Sequence, residues 1–309
     1  LFEKVEEYVH REQHEELRSA IIKAKTPVII SAGGGVGKSI LCCQLAGDSS
    51  NGSLAIAYDC FGGGQYRKPS AKRHRLSDAF IQISNELAKK GLCEPLIPQI
   101  IDQDDRLMRT FLQRLKSAAD ALKQNNNAAI LIIMFDAADN AEMAADEAGD
   151  TCFASQLLKE DVPDGCRIIF FSRPERVHLL KPKSSIIRLT LSPFSKKETL
   201  AHLKTQYPDA ALADGNEFKR LTDGNPRVQA NALNLGEDSI RNVLLSLGPL
   251  GTTVNDLIEL QLEQAVIKIK EDLPDNFQDY VDAICTGLAN LPPFIPVHIL
   301  SAASGVTEE

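Results

Sequence analysis

The stretch of the chain best suited to chemistry is a glycine-rich loop that ends in a lysine and a serine. Gly37-Lys38-Ser39 completes the spacing Gly-x-x-x-x-Gly-Lys-[Ser/Thr], with Ala32 in place of the first glycine. Such glycines let backbone N–H groups converge on an anion, and the helix that follows adds its positive dipole end. The lysine then binds the β- and γ-phosphates, and the serine hydroxyl binds Mg²⁺. The residues predicted to bind nucleotide here are Gly33, Gly34, Gly35, Val36, Gly37, Lys38, Ser39 and Ile40.

A second candidate element is an apolar run that ends in acidic residues. Ile130–Phe135 is followed by Asp136 and, three residues further on, by Asp139. A buried strand ending in aspartate is where a fold with such a loop places its second metal-side carboxylate, so Asp136 is predicted to hold Mg²⁺ through water. Asp139 is predicted to polarise the attacking water, and the alternative for it is a turn or cap residue.

The third candidate is Arg173, which follows the apolar run Arg167–Ser172 and precedes Pro174. Ligands of open α/β sheets bind at the carboxyl ends of the strands. Arg173 is therefore predicted to sense the γ-phosphate, and the alternative is a surface arginine beside a turn proline.

The segments between these residues predict the elements that position them. Five short apolar runs read as continuous strands, which is typical of a parallel sheet covered on both faces. Helical patterns between them predict a three-layer α/β domain. After Pro193 the chain reads as helices only. The predicted strands are 28–30, 54–60, 130–136, 167–172 and 186–191, and the predicted helices are 3–23, 40–46, 76–90, 107–124, 153–159, 196–206, 217–222, 227–234, 239–247, 254–269, 277–290 and one that begins at Val297.

The order of these motifs resembles the STAND NTPases, the signal-transduction ATPases that include the NACHT and NB-ARC families. The resemblance extends to Leu191-Ser192-Pro193-Phe194, to Gly224-Asn225-Pro226 and to Arg11-Glu12. It implies that Pro226 packs on adenine and that Arg11 lies near the base. It also implies a P-loop NTPase sandwich with a five-stranded parallel sheet of order 5-1-4-3-2, a helical lid and the start of a winged-helix domain.

The domains implied by the resemblance are a linker helix (1–26), a P-loop domain (27–192), a helical lid (193–250) and a truncated winged-helix domain (251–309). The implied function is an ATP/ADP and Mg²⁺ switch that couples nucleotide state to opening and homo-oligomerisation of a longer protein. That protein would carry an effector domain before this chain and a sensor after it. Hydrolysis is expected to be slow, since the aspartate strand ends Asp-Ala-Ala-Asp-Asn rather than Asp-Gly-x-Asp-Glu.

The region between Cys60 and Pro98 resembles bacterial STAND proteins of anti-phage defence, the Avs type. This implies a phage or pathogen protein as the trigger. Two alternatives stay open: a turnover ATPase of the AAA+ kind, such as a loader or motor, and a small-molecule kinase. A motor predicts an arginine finger after the sensor strand, where Arg176 is a weak candidate. A kinase predicts an arginine-rich lid, and 196–247 contains only three arginines.

Composition limits the partners and the compartment. The 309 residues carry a net charge of −8, and the seven cysteines form no Cys-x-x-Cys pair. Reduced thiols are typical of the cytoplasm, which is the predicted location. The longest apolar run, 128–135, is far shorter than the roughly 18 residues of a membrane span, so no membrane contact is expected.

One basic stretch stands out in this acidic chain. It contains Arg67, Lys68 and the run Lys72–Arg75. Three interpretations stay open: a solvated loop, a contact to the nucleotide of a neighbouring subunit, and a nucleic-acid patch. Nucleic acid is the least favoured, because the net charge is negative and few aromatic residues interleave with the basic ones.

Overall fold

The chain folds around one five-stranded parallel sheet. The structure is a computed structural model that describes residues 9, 11–47, 52–68, 72–97, 104–248, 251–253, 256, 259, 277–290 and 297–306. The strand order is β2-β3-β4-β1-β5, which confirms the predicted order when read from the opposite edge. The strands are β1 (Val28–Ser31), β2 (Leu54–Asp59), β3 (Leu131–Asp136), β4 (Cys166–Ser172) and β5 (Ile187–Thr190).

Helices cover both faces of the sheet. In the part of the chain that the structure describes, those of the sheet domain are α1 (Glu12–Lys23), α2 (Lys38–Gly47), α3 (Leu76–Lys89), α4 (Asp104–Asn125), α5 (Ala138–Ala148) and α6 (Phe153–Leu157).

Alternate residues of the central strands enter two separate cores. Ile133 and Phe135 of β3 pack with α3 to α6, whereas Ile132 and Met134 pack with α1 and α2. A parallel strand covered on both faces needs apolar residues at every position. This explains why β3 reads as one unbroken apolar run and is buried throughout.

A separate set of helices with its own core follows β5. Leu203, Phe218 and Val228 are among its buried members. Two further helices, Phe277–Asn290 and Val297–Ser304, lie where helices are predicted. The helices of the second core are α7 (Lys196–Leu203), α8 (Leu212–Thr222), α9 (Pro226–Asn234) and α10 (Ile240–Ser246).

Expectations about several helices differ from the structure. Helix α8, for example, begins at Leu212 rather than at residue 217. Most of the predicted segment before Arg11 lies outside the described residues; the backbone of Arg11 is extended (φ −115°, ψ 123°), and α1 begins at Glu12. Helix α5 is not predicted at all, since its sequence is mostly alanine and acid and lacks large apolar residues at helical spacing. The predicted helix 254–269 falls almost entirely outside the described residues.

Among the described residues, none of the helices has the length and apolar character needed to cross a bilayer.

Candidate nucleotide-binding site

The glycine loop joins β1 to α2 at the carboxyl edge of the sheet. Gly35 (φ +77°) and Gly37 (φ +106°) adopt the left-handed backbone that favours glycine. Ala32 needs no such freedom, because its φ is not positive and its amide continues the ladder by donating to the Ser172 carbonyl at 3.2 Å. This explains why alanine serves at the first position of the motif. The α2 N terminus therefore opens directly onto the loop, as an anion site requires.

Lys38 is folded back onto its own loop. Its ammonium donates to the carbonyls of Ala32 (2.6 Å) and Gly33 (3.0 Å). Burial lowers its pKa, and the charges of Asp139 and Asp136 oppose that shift. The side chain is half-buried.

Ser39 and Asp136 meet at the point where the motif predicts a metal. The Ser39 hydroxyl donates to Asp136 Oδ2 at 2.5 Å. Burial raises the pKa of Asp136, while the Ser39 hydrogen bond and the Lys38 charge lower it. Mg²⁺ prefers oxygen ligands and takes few from the protein when phosphates supply the rest. This hydroxyl and carboxylate fit that donor set.

Asp139 is the second residue of α5 and is nearly inaccessible. Its side chain is 2% exposed, and Oδ2 has no hydrogen-bond partner among the described residues. The Arg176 guanidinium lies 3.6 Å from that oxygen. Burial raises the pKa of Asp139, and the charges of Arg176, Lys38 and Arg173 lower it. A buried carboxylate oxygen without a hydrogen-bond donor can accept a proton from water.

Arg173 is exposed where β4 ends, just before the 3₁₀ segment Pro174–Leu180. Its charge lowers the pKa of both Lys38 and Asp139. The structure therefore brings the loop lysine, both predicted aspartates and this arginine to one edge of the sheet. The roles given to them stay predictions.

The turn before α9 rests directly on the glycine loop. Asn225 donates through Nδ2 to the Gly34 carbonyl (2.8 Å), and the Arg227 amide donates to the Gly35 carbonyl (3.2 Å). A Cβ at Gly35 would lie 2.7 Å from Asn225 Oδ1 and 2.8 Å from Arg227 Cβ. Only glycine permits this approach. Asn225, which the sequence marks only as the middle of Gly-x-Pro, is a contact that sequence reasoning missed.

Arg11 contacts both the glycine loop and the start of α7. It donates to the carbonyls of Val36 (3.0 Å) and Ser192, and its guanidinium pairs with Glu198 at 3.6 Å. It also lies over the ring of Phe194 at 5.1 Å. Glu198 completes the capping box of α7. Arg11 therefore links the glycine loop, the segment after β5 and helix α7.

A cavity of about 480 Å³ lies between the loop and helices α7 and α9. A larger cavity of about 940 Å³ lies between α8 and α10, where no glycine-loop residue lines it. The smaller one is the site at which phosphates can reach the α2 N terminus. Its lining includes Arg11, Gly35, Val36, Gly37, Lys38, Ser39, Ile40, Phe194, His202 and Pro226.

Several solved structures match this chain at low sequence identity. One is a signal transduction ATPase with numerous domains (STAND) with a tetratricopeptide repeat sensor, from Pyrococcus horikoshii, at 16% identity and a TM-score of 0.47. The match covers 99% of this chain but 40% of that one. Drosophila ORC bound to DNA matches at 13% identity over 95% of this chain and 80% of the other, with a TM-score of 0.46. A mutant of RuvB from Thermotoga maritima matches at 14% over 97% and 84%, with a TM-score of 0.38. No protein-family model and no curated protein matches the chain.

Four residues of the basic stretch lie against acidic side chains of the same chain. Arg67 contacts Glu147 of α5 at 2.6 Å, and one oxygen of Asp150 lies within 3.2 Å of Lys72, His74 and Arg75. These pairs hold the connection between β2 and α3 against the end of α5. The three interpretations of the stretch stay open.

Asp59 is a further acidic residue at the same edge. It lies opposite Asp136 in the register of β2 and β3, and its charge helps to raise the pKa of Asp136. Its own carboxylate accepts from the amides of Phe61 (2.8 Å) and Gly62 (3.0 Å). Its place after an apolar strand is a signal that sequence reasoning passed over.

Proposed function

We propose that this chain binds ATP with Mg²⁺, hydrolyses it slowly, and serves as the STAND switch module of a longer signalling or defence protein. The observation that carries the proposal is the pair of hydrogen bonds from the lid turn to the glycine loop. Asn225 and the Arg227 amide bind two successive loop carbonyls, those of Gly34 and Gly35.

The phosphate side of the site supports nucleotide binding. The loop amides and the α2 N terminus would hold the phosphates, and Lys38 would leave the carbonyls of Ala32 and Gly33 to reach the β- and γ-phosphates. Ser39 and Asp136 would hold Mg²⁺, which neutralises phosphate charge when bound. Pro226, which lines the cavity, would pack on the base.

The lid contacts explain why the two nucleotides would favour different conformations. ADP and ATP differ by the γ-phosphate, which would lie near Lys38, Asp139 and Arg173. A ligand shifts a conformational equilibrium only by its difference in affinity for the two states. Since Asn225 binds the loop itself, a change in loop geometry on γ-phosphate binding changes the lid contact directly. The open form would then assemble into a homo-oligomer.

Slow hydrolysis fits the environment of Asp139. A general base acts well when its carboxylate is ionised and positioned. Burial raises the pKa of Asp139, which disfavours the ionised form that a base needs. No glutamate follows Asp136 to take this role.

The second candidate is an AAA+-like turnover ATPase, a loader or motor. Such a machine needs an arginine finger offered to a neighbouring subunit. Arg176, the residue suited to that role by position, is bound within its own chain to Asp139 and Asn140. This favours the switch over the motor.

Hydrogen exchange at the lid turn tests the proposal. We expect the amides of Arg227 and Val228 to exchange at different rates in the presence of ADP and of a non-hydrolysable ATP analogue. Asn225→Ala should reduce that difference, and Asn234→Ala at the exposed end of α9 should not. Equal exchange with both nucleotides, together with turnover near the roughly 10 s⁻¹ typical of enzymes, would support the motor and overturn the switch.

A further inference from the structure

Arg176 reaches the start of α5 from the segment that follows β4. Its Nη1 lies 3.6 Å from Asp139 Oδ2 and donates to Asn140 Oδ1 at 3.2 Å. Two neighbouring side chains of α5 thus share one guanidinium nitrogen. The 3₁₀ segment Pro174–Leu180 makes this possible, because it turns the chain back toward α5 immediately after the strand.

The carboxylate that Arg176 faces is costly to keep charged. Asp139 is 2% exposed, and its Oδ2 accepts no hydrogen bond from the described residues. Burying a charge without partners is unfavourable, and a nearby opposite charge offsets part of that cost. Arg176 has the largest such effect of the neighbouring cations on the pKa of Asp139, ahead of Lys38 and Arg173.

Other ionisable groups surround this pair, and a pH profile reflects all of them. Helix α6, which also packs on α5, has no charged residue. The ionisable groups near Arg176 and Asp139 are Lys38 of the loop, Cys60 after β2, Asp136 of β3, Glu142 of α5, and Arg173 and Glu175 after β4.

We propose that Arg176 is a positioning residue for hydrolysis, which holds the Asp139 carboxylate ionised and oriented to take a proton from the attacking water. The inference rests on the proposed function. In the step it serves, the water oxygen bonds to the γ-phosphorus, and the bond from that phosphorus to the bridging oxygen breaks. The bridging electron pair stays on ADP. One water proton moves to Asp139, which then releases it to solvent.

The test compares Arg176→Gln with Arg176→Lys in the full chain. Single-turnover ATP hydrolysis is measured from pH 5 to pH 8, and the affinity for a fluorescent ADP analogue is measured in parallel. Arg176→Gln should slow hydrolysis by about 10–100-fold, part of what a positioned base contributes. It should also move the acidic limb of the profile to higher pH, because Asp139 then loses its proton less readily. Arg176→Lys, which keeps a charge, should restore part of the rate.

The control is Arg220→Gln, which breaks an exposed pair with Glu217 in the lid and should leave the rate unchanged. Affinity for the ADP analogue should be the same in all variants. Faster hydrolysis in Arg176→Gln would mean that Arg176 restrains Asp139, and a slower rate with an unmoved pH profile would make it merely structural. Either result overturns the inference while the nucleotide site stands. A wild type that binds ATP without hydrolysing it overturns the inference too, whereas one that binds no nucleotide overturns the proposed function.

Discussion

A carboxylate lies at each end of α5, and the two have opposite surroundings. Asp139 at the start is 2% exposed and has one guanidinium at 3.6 Å. Asp150, two residues beyond the end, is 29% exposed, and one of its oxygens lies within 3.2 Å of Lys72, His74 and Arg75. Burial raises the pKa of Asp139, whereas hydrogen bonds from His74 and Lys72 hold the pKa of Asp150 well below its usual range.

From this difference we propose that Asp150 stabilises the fold and that Asp139 takes part in the chemistry. Asp150 gains partners and keeps the connection between β2 and α3 in place. The Asp139 carboxylate loses its hydration on folding, and few interactions replace it. It lies near Lys38 and Arg173 at the edge of the sheet. Perturbed carboxylates of this kind concentrate at functional sites, where local rules of stability are broken.

The largest expected effect is on hydrolysis. Asp139→Ala should slow single-turnover ATP hydrolysis by about 10²–10⁴-fold, the usual contribution of a positioned base, with nucleotide still bound. Asp150→Ala should hydrolyse at close to the wild-type rate, because its partners lie at the other end of the helix. Should Asp139→Ala match the wild type instead, Asp139 is a cap residue and the comparison fails.

Removing the charge at either end of α5 should have a smaller effect, on thermal stability, and the sign should be opposite at the two ends. The folded-state pKa of Asp139 is raised, so its ionised form destabilises the fold at pH 7, and the penalty disappears as pH falls through that value. The pKa of Asp150 is lowered, so its stabilisation is present above the unfolded pKa and is lost as pH falls through the folded one. Asp139→Asn should therefore raise Tm at pH 7, and Asp150→Asn should lower it. Thermal unfolding of both variants is the measurement, and shifts of the same sign would remove the distinction.

The sequence predicts the regular parts of this molecule well. The glycine loop and the aspartate strand follow from local spacing and from continuous apolar runs, whereas the order of the strands is what the resemblance implies. Helix α5 is missed because alanine buries well without marking a helical stripe.

The remaining contacts are missed because they join distant parts of the chain. Arg11 meets Ser192 across 181 positions, and Asn225 meets Gly34 across 191. The partners of the basic stretch lie 75 to 80 positions further on, at Glu147 and Asp150. No periodicity within either segment could reveal such pairs, since they depend on how the layers pack.

The most direct test of nucleotide binding at the loop compares two lysines. Equilibrium binding of a fluorescent ATP analogue is measured for Lys38→Ala and Lys72→Ala, with circular dichroism to verify the fold. Lys38 would bind the phosphates, so its loss should weaken binding by about 1.5–3 kcal/mol, or roughly 10–150-fold. Lys72 pairs with Asp150, so its loss should leave the affinity unchanged. A folded Lys38→Ala that binds ATP as tightly as the wild type would contradict the account.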